Sequence, residues 1–198
     1  MSLTKLDMTS LSPTGGPRDR YRHLSKSSAG SELHRLCRSG DLSAIRSYLN
    51  ETLTETVINK AGGVNGCTPL HEAAMAGRGD VIRLLTEESD SLNLNVRTQR
   101  GPASTPLHLA AERGHVECVM ALIECGALLE VFDRRCRTAK DVAAENGQKQ
   151  VVYTITIAEV EKAVNESNVV KLIEVCIFNY VSRSFSFWES ILNSTLKK

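Results

Sequence analysis

Thr68-Pro69-Leu70-His71 and Thr105-Pro106-Leu107-His108 are one tetrapeptide repeated 37 residues apart, and a pair of alanines and then a glycine follow each copy. A period in the thirties is typical of arrays in which helix-turn-helix units stack on one another. Each unit of such an array contacts only its neighbours, and the stack presents an extended concave surface. The repeat therefore favours a protein that binds other proteins over one that transforms a small molecule.

Each copy of the motif predicts two antiparallel helices. The threonine side chain caps a helix that begins at the proline, because the fixed φ and missing N–H of proline are harmless at that position. Ala73-Ala74 and Ala110-Ala111 are small enough to let neighbouring helices approach closely, and Gly77 and Gly114 allow the chain to leave the helix. An apolar stripe then predicts a second helix, formed by Val81, Leu84 and Leu85 or by Val116, Val119 and Leu122.

His71 and His108 lie three residues after the capping threonines, where an imidazole reaches the threonine hydroxyl and the backbone of a neighbouring unit. We interpret both as structural ties. The alternative is a catalytic or zinc-binding histidine, but Met75 stands where a His-Glu-x-x-His site requires its second ligand. We therefore expect no metal site.

The repeated motif, with its alanine pair and glycine, closely resembles the ankyrin repeat. Segment 126–138 is similar to the loop that joins ankyrin units, with Gly126, Ala127 and Asp133 in register and Cys136 in place of the usual glycine. The resemblance implies an all-α solenoid of stacked helix-turn-helix units with β-hairpin-like fingers between them. It also implies that a partner binds at the fingertips and on the concave face of the first helices.

The array is predicted to contain four units and a degenerate cap, at residues 31–66, 67–103, 104–136, 137–158 and 159–176. The first unit keeps a histidine 37 residues before His71 but lacks threonine-proline. In the fourth unit Lys140 and Asp141 replace the leucine and histidine, as suits the end of an array. The cap is predicted because the apolar spacing of 159–176 matches that of 32–49.

The composition is that of a soluble protein. Of its 198 residues 41% are hydrophobic and 24% are charged, and no uninterrupted apolar run approaches the roughly 18 residues that a spanning helix needs. The net charge of +1 is too small to indicate wholesale nucleic-acid binding. Since the first residues also lack a signal-peptide run, we expect a cytoplasmic or nuclear protein with no membrane contact.

The cysteines favour an intracellular location. All six stand singly and form no Cys-x-x-Cys pair, which predicts reduced thiols rather than a disulfide framework or a zinc site. They are Cys37, Cys67, Cys118, Cys125, Cys136 and Cys176.

The sequence contains none of the motifs that would indicate an enzyme. It has no phosphate-binding Gly-x-x-x-x-Gly-Lys loop, no Gly-x-Ser-x-Gly elbow and no dinucleotide-binding fingerprint. We therefore expect a non-enzymatic adaptor or scaffold that takes a protein partner, no cofactor and no small-molecule substrate. The alternative is a substrate-recruiting fragment or isoform of a larger multidomain signalling or ubiquitin-ligase protein.

Positive charge gathers on two neighbouring fingers, where Glu130 and Asp133 are the only acids nearby. The arginines are Arg97 and Arg100 on one finger and Arg134, Arg135 and Arg137 on the next. Two interpretations remain open: a solvated loop edge, or a groove for an acidic segment. On ankyrin geometry, the candidate partner contacts are Met75, Arg78, Arg97, Arg100, Glu112, Arg113, Phe132, Arg134 and Arg135.

The two flanks differ in composition. Residues 1–30 are dominated by serine, threonine, glycine, proline and basic residues, and they predict a disordered arm. Residues 177–198 contain five aromatic residues between Phe178 and Trp188. This tail is predicted to cover the last unit as a cap; the alternatives are an exposed partner-binding segment and a tail that arises from truncation or alternative splicing.

Overall fold

The computed structural model describes residues 26–52 and 57–166, together with residues 170 and 173. This part of the chain folds into α-helices and contains no strand. The helices are α1 (Lys26–Ser39), α2 (Leu42–Glu51), α3 (Pro69–Ala76), α4 (Gly79–Glu87), α5 (Pro106–Arg113), α6 (Val116–Glu124), α7 (Ala139–Glu145) and α8 (Lys149–Asn165). Among the described residues, no helix is both long enough and apolar enough to cross a membrane.

The predicted helix boundaries of the two complete motifs are present. Proline opens both α3 and α5, and the hydroxyl oxygen of Thr105 accepts a hydrogen bond from the backbone N–H of His108 at 3.4 Å. Gly77 and Gly114 end these helices in the left-handed conformation, both at φ 76°. A side chain on either residue would strain this backbone conformation, so glycine is the residue that suits it.

The helices stack in two layers. The first helices of successive units, α1, α3, α5 and α7, pack side by side, and the second helices, α2, α4, α6 and α8, form the other layer. Leu70 is fully buried and Leu107 is 2% exposed, while the alanine pairs are completely covered. The structure thus confirms the predicted all-α solenoid.

Two predicted boundaries differ from the structure. Helix α8 runs from Lys149 to Asn165, across the predicted junction at residues 158 and 159, because the stretch contains no glycine or proline that would end a helix. At the other end α1 begins at Lys26, so residues 26–30 are helical although composition predicts a disordered arm there. Packing of the rest of α1 against α3 outweighs that weak local preference.

Several predictions concern residues that lie outside the described part of the chain. These are the arm up to residue 25, most of the predicted cap beyond residue 166, and the aromatic tail at 177–198.

Candidate interaction surface

Histidines join three of the four first helices, α1, α3 and α5, to the fingers that follow them. The Nε2 atom of His71 lies 3.1 Å from the carbonyl oxygen of Ser104, and that of His108 lies 3.0 Å from the carbonyl oxygen of Arg137. His34 makes the same contact with Cys67 at 2.8 Å. The three contacts recur at successive junctions, so they fix the fingers relative to the helices.

The hydrogen bonds of His71 require a neutral ring. Its Nδ1 atom lies 2.9 Å from the Thr68 hydroxyl and accepts from the Thr68 backbone N–H at 3.1 Å. With Nδ1 as the acceptor, Nε2 carries the proton and donates to Ser104. Burial lowers the pKa of His71 to about 4 and also lowers that of His108. The predicted structural role of both histidines is confirmed.

The fingers are closed by hairpin-type hydrogen bonds. Thr98 donates its backbone N–H to the carbonyl oxygen of Ser104 at 2.9 Å, and Asp133 donates to that of Arg137 at 2.9 Å. The buried carboxylate of Asp133 accepts from the backbone N–H of Arg135 at 2.7 Å and of Arg137 at 3.0 Å. These bonds hold Cys136 at φ 57°, the left-handed position at which the ankyrin loop has glycine.

Neighbouring fingers contact one another. Arg134 donates its backbone N–H to the carbonyl oxygen of Pro102 at 2.8 Å, and its Nη1 atom donates to that of Gly101 at 2.9 Å. The backbone N–H of Arg100 donates to the carbonyl oxygen of Asn65 at 3.1 Å. Three fingertips therefore form one continuous edge.

The continuous edge exposes most of the predicted finger residues. The fingertip surface consists of Arg97, Arg100, Phe132, Arg134 and Arg135, all exposed. None of its four arginines forms an ion pair with another described residue. Arg137 differs from the sequence expectation, because its guanidinium turns inward and pairs with Asp133 at 2.8 Å and with Glu145. Its positive charge is thus offset within the fold.

The other four candidates form a separate group, the helix-end surface, at the far ends of the first helices. Arg78, Glu112 and Arg113 are exposed and Met75 is half-buried. Arg113 donates from Nη1 to the carbonyl oxygen of Met75 at 3.2 Å. A first helix of eight residues is roughly 12 Å long. The candidates are therefore brought together in two groups, with the first helices between them.

Sequence reasoning missed two exposed apolar side chains. Leu128 lies in the loop before the second basic finger and is 53% exposed, and Met120 on α6 is 43% exposed. Both lie within apolar stretches of the sequence, so only the three-dimensional placement shows that their side chains are exposed.

Comparison with protein families matches the described array almost throughout. A model described as ankyrin repeats (many copies) matches residues 33–86, and a model described as ankyrin repeats (3 copies) matches residues 91–167.

Three proteins are similar in sequence to this chain over part of their length. The probable E3 ubiquitin-protein ligase XBOS31 of Oryza sativa subsp. japonica is 34% identical over 63% of this chain and 27% of its own length. The human transient receptor potential cation channel subfamily A member 1 is 35% identical over 62% of this chain and 10% of its own. The putative E3 ubiquitin-protein ligase XBAT31 of Arabidopsis thaliana is 39% identical over 60% and 25%. The chain matches about a quarter or less of each relative.

Proposed function

Because the chain belongs to the ankyrin-repeat family, we propose that it is a non-enzymatic adaptor that binds an acidic segment of a protein partner. The partner lies along the fingertip surface and continues over the concave face of the first helices. The observation that carries the proposal is the row of exposed arginines on contacting fingers, which form no ion pairs with other described residues.

The chemistry of the fingertip surface suits an acidic segment. Arginine presents a planar fork that binds a carboxylate through two hydrogen bonds, and it is enriched among the residues that dominate binding energies. The nearby carboxylate of Asp133 is buried and occupied by Arg137, so it does not neutralise the edge. Phe132, 52% exposed beside Arg134, adds an apolar anchor that excludes water from the charged contacts.

The helix-end surface extends the contact across the array. Arg78 and Arg113 continue the positive charge, whereas Glu112 contributes a negative charge at the end of α5. A partner that crosses the first helices is therefore expected to be acidic at the fingers and mixed in charge beyond them. This distribution of charge sets the direction in which the partner's segment binds. Charge complementarity favours one orientation of the segment over the reverse.

A second proposal follows from the relatives. XBOS31 and XBAT31 are named as ubiquitin ligases, and this chain matches about a quarter of their length. The array could serve as a recruiting part of a larger ligase or signalling protein, with the same fingertip surface holding the substrate. A longer transcript would favour this alternative. In either case we propose a cytoplasmic or nuclear location, which the scattered single cysteines support.

Charge reversal on the second finger tests the proposal. The double variant Arg134→Glu, Arg135→Glu is expected to lose capture of the partner from cell extract, because repulsion replaces attraction at the centre of the edge. The captured proteins are compared by quantitative mass spectrometry against wild type. Both exchanges are on exposed loop residues, so losing the hydrogen bond from Arg134 to the Gly101 carbonyl oxygen should lower the urea midpoint only slightly.

A matched control variant separates the effect of the fingertip position from the effect of a lower net charge. Lys149→Glu, Lys162→Glu changes the net charge by the same amount on exposed positions of α8 and should capture the same proteins as wild type. If the fingertip variant unfolds at the wild-type urea concentration and still captures the wild-type set, the solvated-edge interpretation is correct and the proposal fails.

A further inference from the structure

An apolar groove of about 370 Å³ lies between the second helices α6 and α8. Its lining residues are Met120, Ile123, Glu124, Tyr153, Thr154, Ile157, Ala158 and Glu161; we call it the outer groove. None of the residues assigned to partner binding lines it, so its occupant is independent of the proposed function.

Ion pairs link neighbouring second helices at the two preceding junctions. Arg46 on α2 pairs with Glu88 at the end of α4 at 3.0 Å, and Arg83 on α4 pairs with Glu124 on α6 at 2.9 Å. The two arginines are 37 residues apart and their glutamate partners are 36 apart, so the contact recurs from one junction to the next.

These arginine–glutamate pairs do not continue to the junction between α6 and α8. The residue in register with the arginines, 37 positions after Arg83, is Met120. The second helices of the third and fourth units begin 33 residues apart, at Val116 and Lys149, so the residue in register with Glu124 is Ile157, and Glu161 lies one turn farther along α8. Met120 is 43% exposed, and Glu161 forms no ion pair with another described residue. At this junction an apolar groove with an acidic rim thus replaces an arginine–glutamate ion pair.

A fitting occupant must supply apolar side chains and a cation. We propose that residues 177–198 of this chain fill the outer groove, with aromatic side chains against Met120 and Ile157 and with Arg183 near Glu161. The segment carries five aromatic residues between Phe178 and Trp188, with Arg183 among them. Burying an aromatic side chain removes roughly 150–250 Å² from water, which favours the covered groove.

The chain is long enough to return to the groove. From Tyr153 to the end of α8 at Asn165 the helix rises roughly 18 Å. Val170 and Ile173 are helical, and the eleven residues 166–176 would rise roughly 16 Å as a helix, so a chain that turns back after α8 brings the segment at 177–198 close to the groove. Val170 and Ile173, on the way, are 68% and 52% exposed, so the apolar surface that needs cover continues beyond the groove.

Trp188 reports on the segment because it is the only tryptophan of the chain. In the isolated 198-residue chain its emission should be blue-shifted and several-fold less quenched by acrylamide than that of a free tryptophan. Met120→Arg restores the residue type found in register at Arg46 and Arg83. It should pair with Glu161, displace the segment and raise quenching several-fold. Leu128→Arg, an exposed exchange outside the groove, is the matched control and should leave emission unchanged.

Photocrosslinking locates the segment directly. Benzoylphenylalanine in place of Met120 should crosslink within one chain to residues 177–198, at a yield independent of protein concentration. Crosslinks between two copies would assign the groove to a second molecule and overturn the proposal. It is equally overturned by water-like emission from wild-type Trp188, or by a shielded Trp188 that neither responds to Met120→Arg nor gives the crosslink.

Discussion

Replacing Leu107 with alanine is expected to lower the free energy of unfolding by about 2 to 4 kcal/mol. Leu107 is 2% exposed on α5, and α5 packs against both α3 and α7. Removing its side chain opens a cavity at a junction where stability depends on contacts between neighbouring units. Leu70, fully buried on α3, should behave in the same way.

Urea unfolding of the two variants measures this loss. Leu128→Ala removes the same atoms from a side chain that is 53% exposed, and it should change the free energy of unfolding by less than about 0.5 kcal/mol. A loss below about 0.5 kcal/mol at both Leu70 and Leu107 would contradict the stacked arrangement.

Acid should destabilise the array through His71. The pKa of this ring is lowered to about 4 in the folded state, against about 6.5 for an unfolded chain. The unfolded state therefore binds more protons as the pH falls, and stability that is complete above pH 6.5 is progressively lost down to about pH 4. A difference of this size corresponds to about 3 kcal/mol. His108 contributes in the same direction, since burial lowers its pKa as well.

The variants His71→Gln and Thr68→Val separate titration from hydrogen bonding. Both disturb the bonds at the start of α3 and should lower stability at pH 7. Only His71→Gln removes the titrating ring, so only it should flatten the dependence of the urea midpoint on pH between 6.5 and 4. An unchanged pH dependence in His71→Gln would show that the ring does not titrate with folding.

Local sequence signals predicted the helical units because each signal acts within one unit. The proline at the first position of α5, the Thr105 cap and the left-handed Gly114 are all set by neighbours in sequence. The stacking of units could be predicted too, since a unit that cannot bury its apolar face alone must pack against the next.

Features that depend on contacts between elements were not predictable. Arg137 lies among exposed arginines in sequence, yet Asp133 and Glu145 draw its guanidinium inward. Glu72 stands where the next unit has Leu109 and is 1% exposed, because Arg38 from the preceding unit pairs with it at 2.7 Å. For Glu72 the deciding partner comes from another unit, and for Arg137 it depends on how the finger folds around the buried Asp133.

The outer groove illustrates the same limit at a surface. Met120 fits the apolar composition of α6 and carries no local mark of exposure. That Met120 interrupts a row of ion pairs becomes clear only by comparison with Arg46 and Arg83. The ion pairs of these arginines are visible only once the second helices are placed side by side.

Amide hydrogen exchange of the full chain, with and without the captured partner, tests most directly that binding occurs along the fingertips and first helices. The account predicts slower exchange at residues 97–101 and 132–137 and along α3 and α5 in the complex, with no change along α4 and α6. Protection confined to α4 and α6, with unaltered exchange at both fingers, would contradict it.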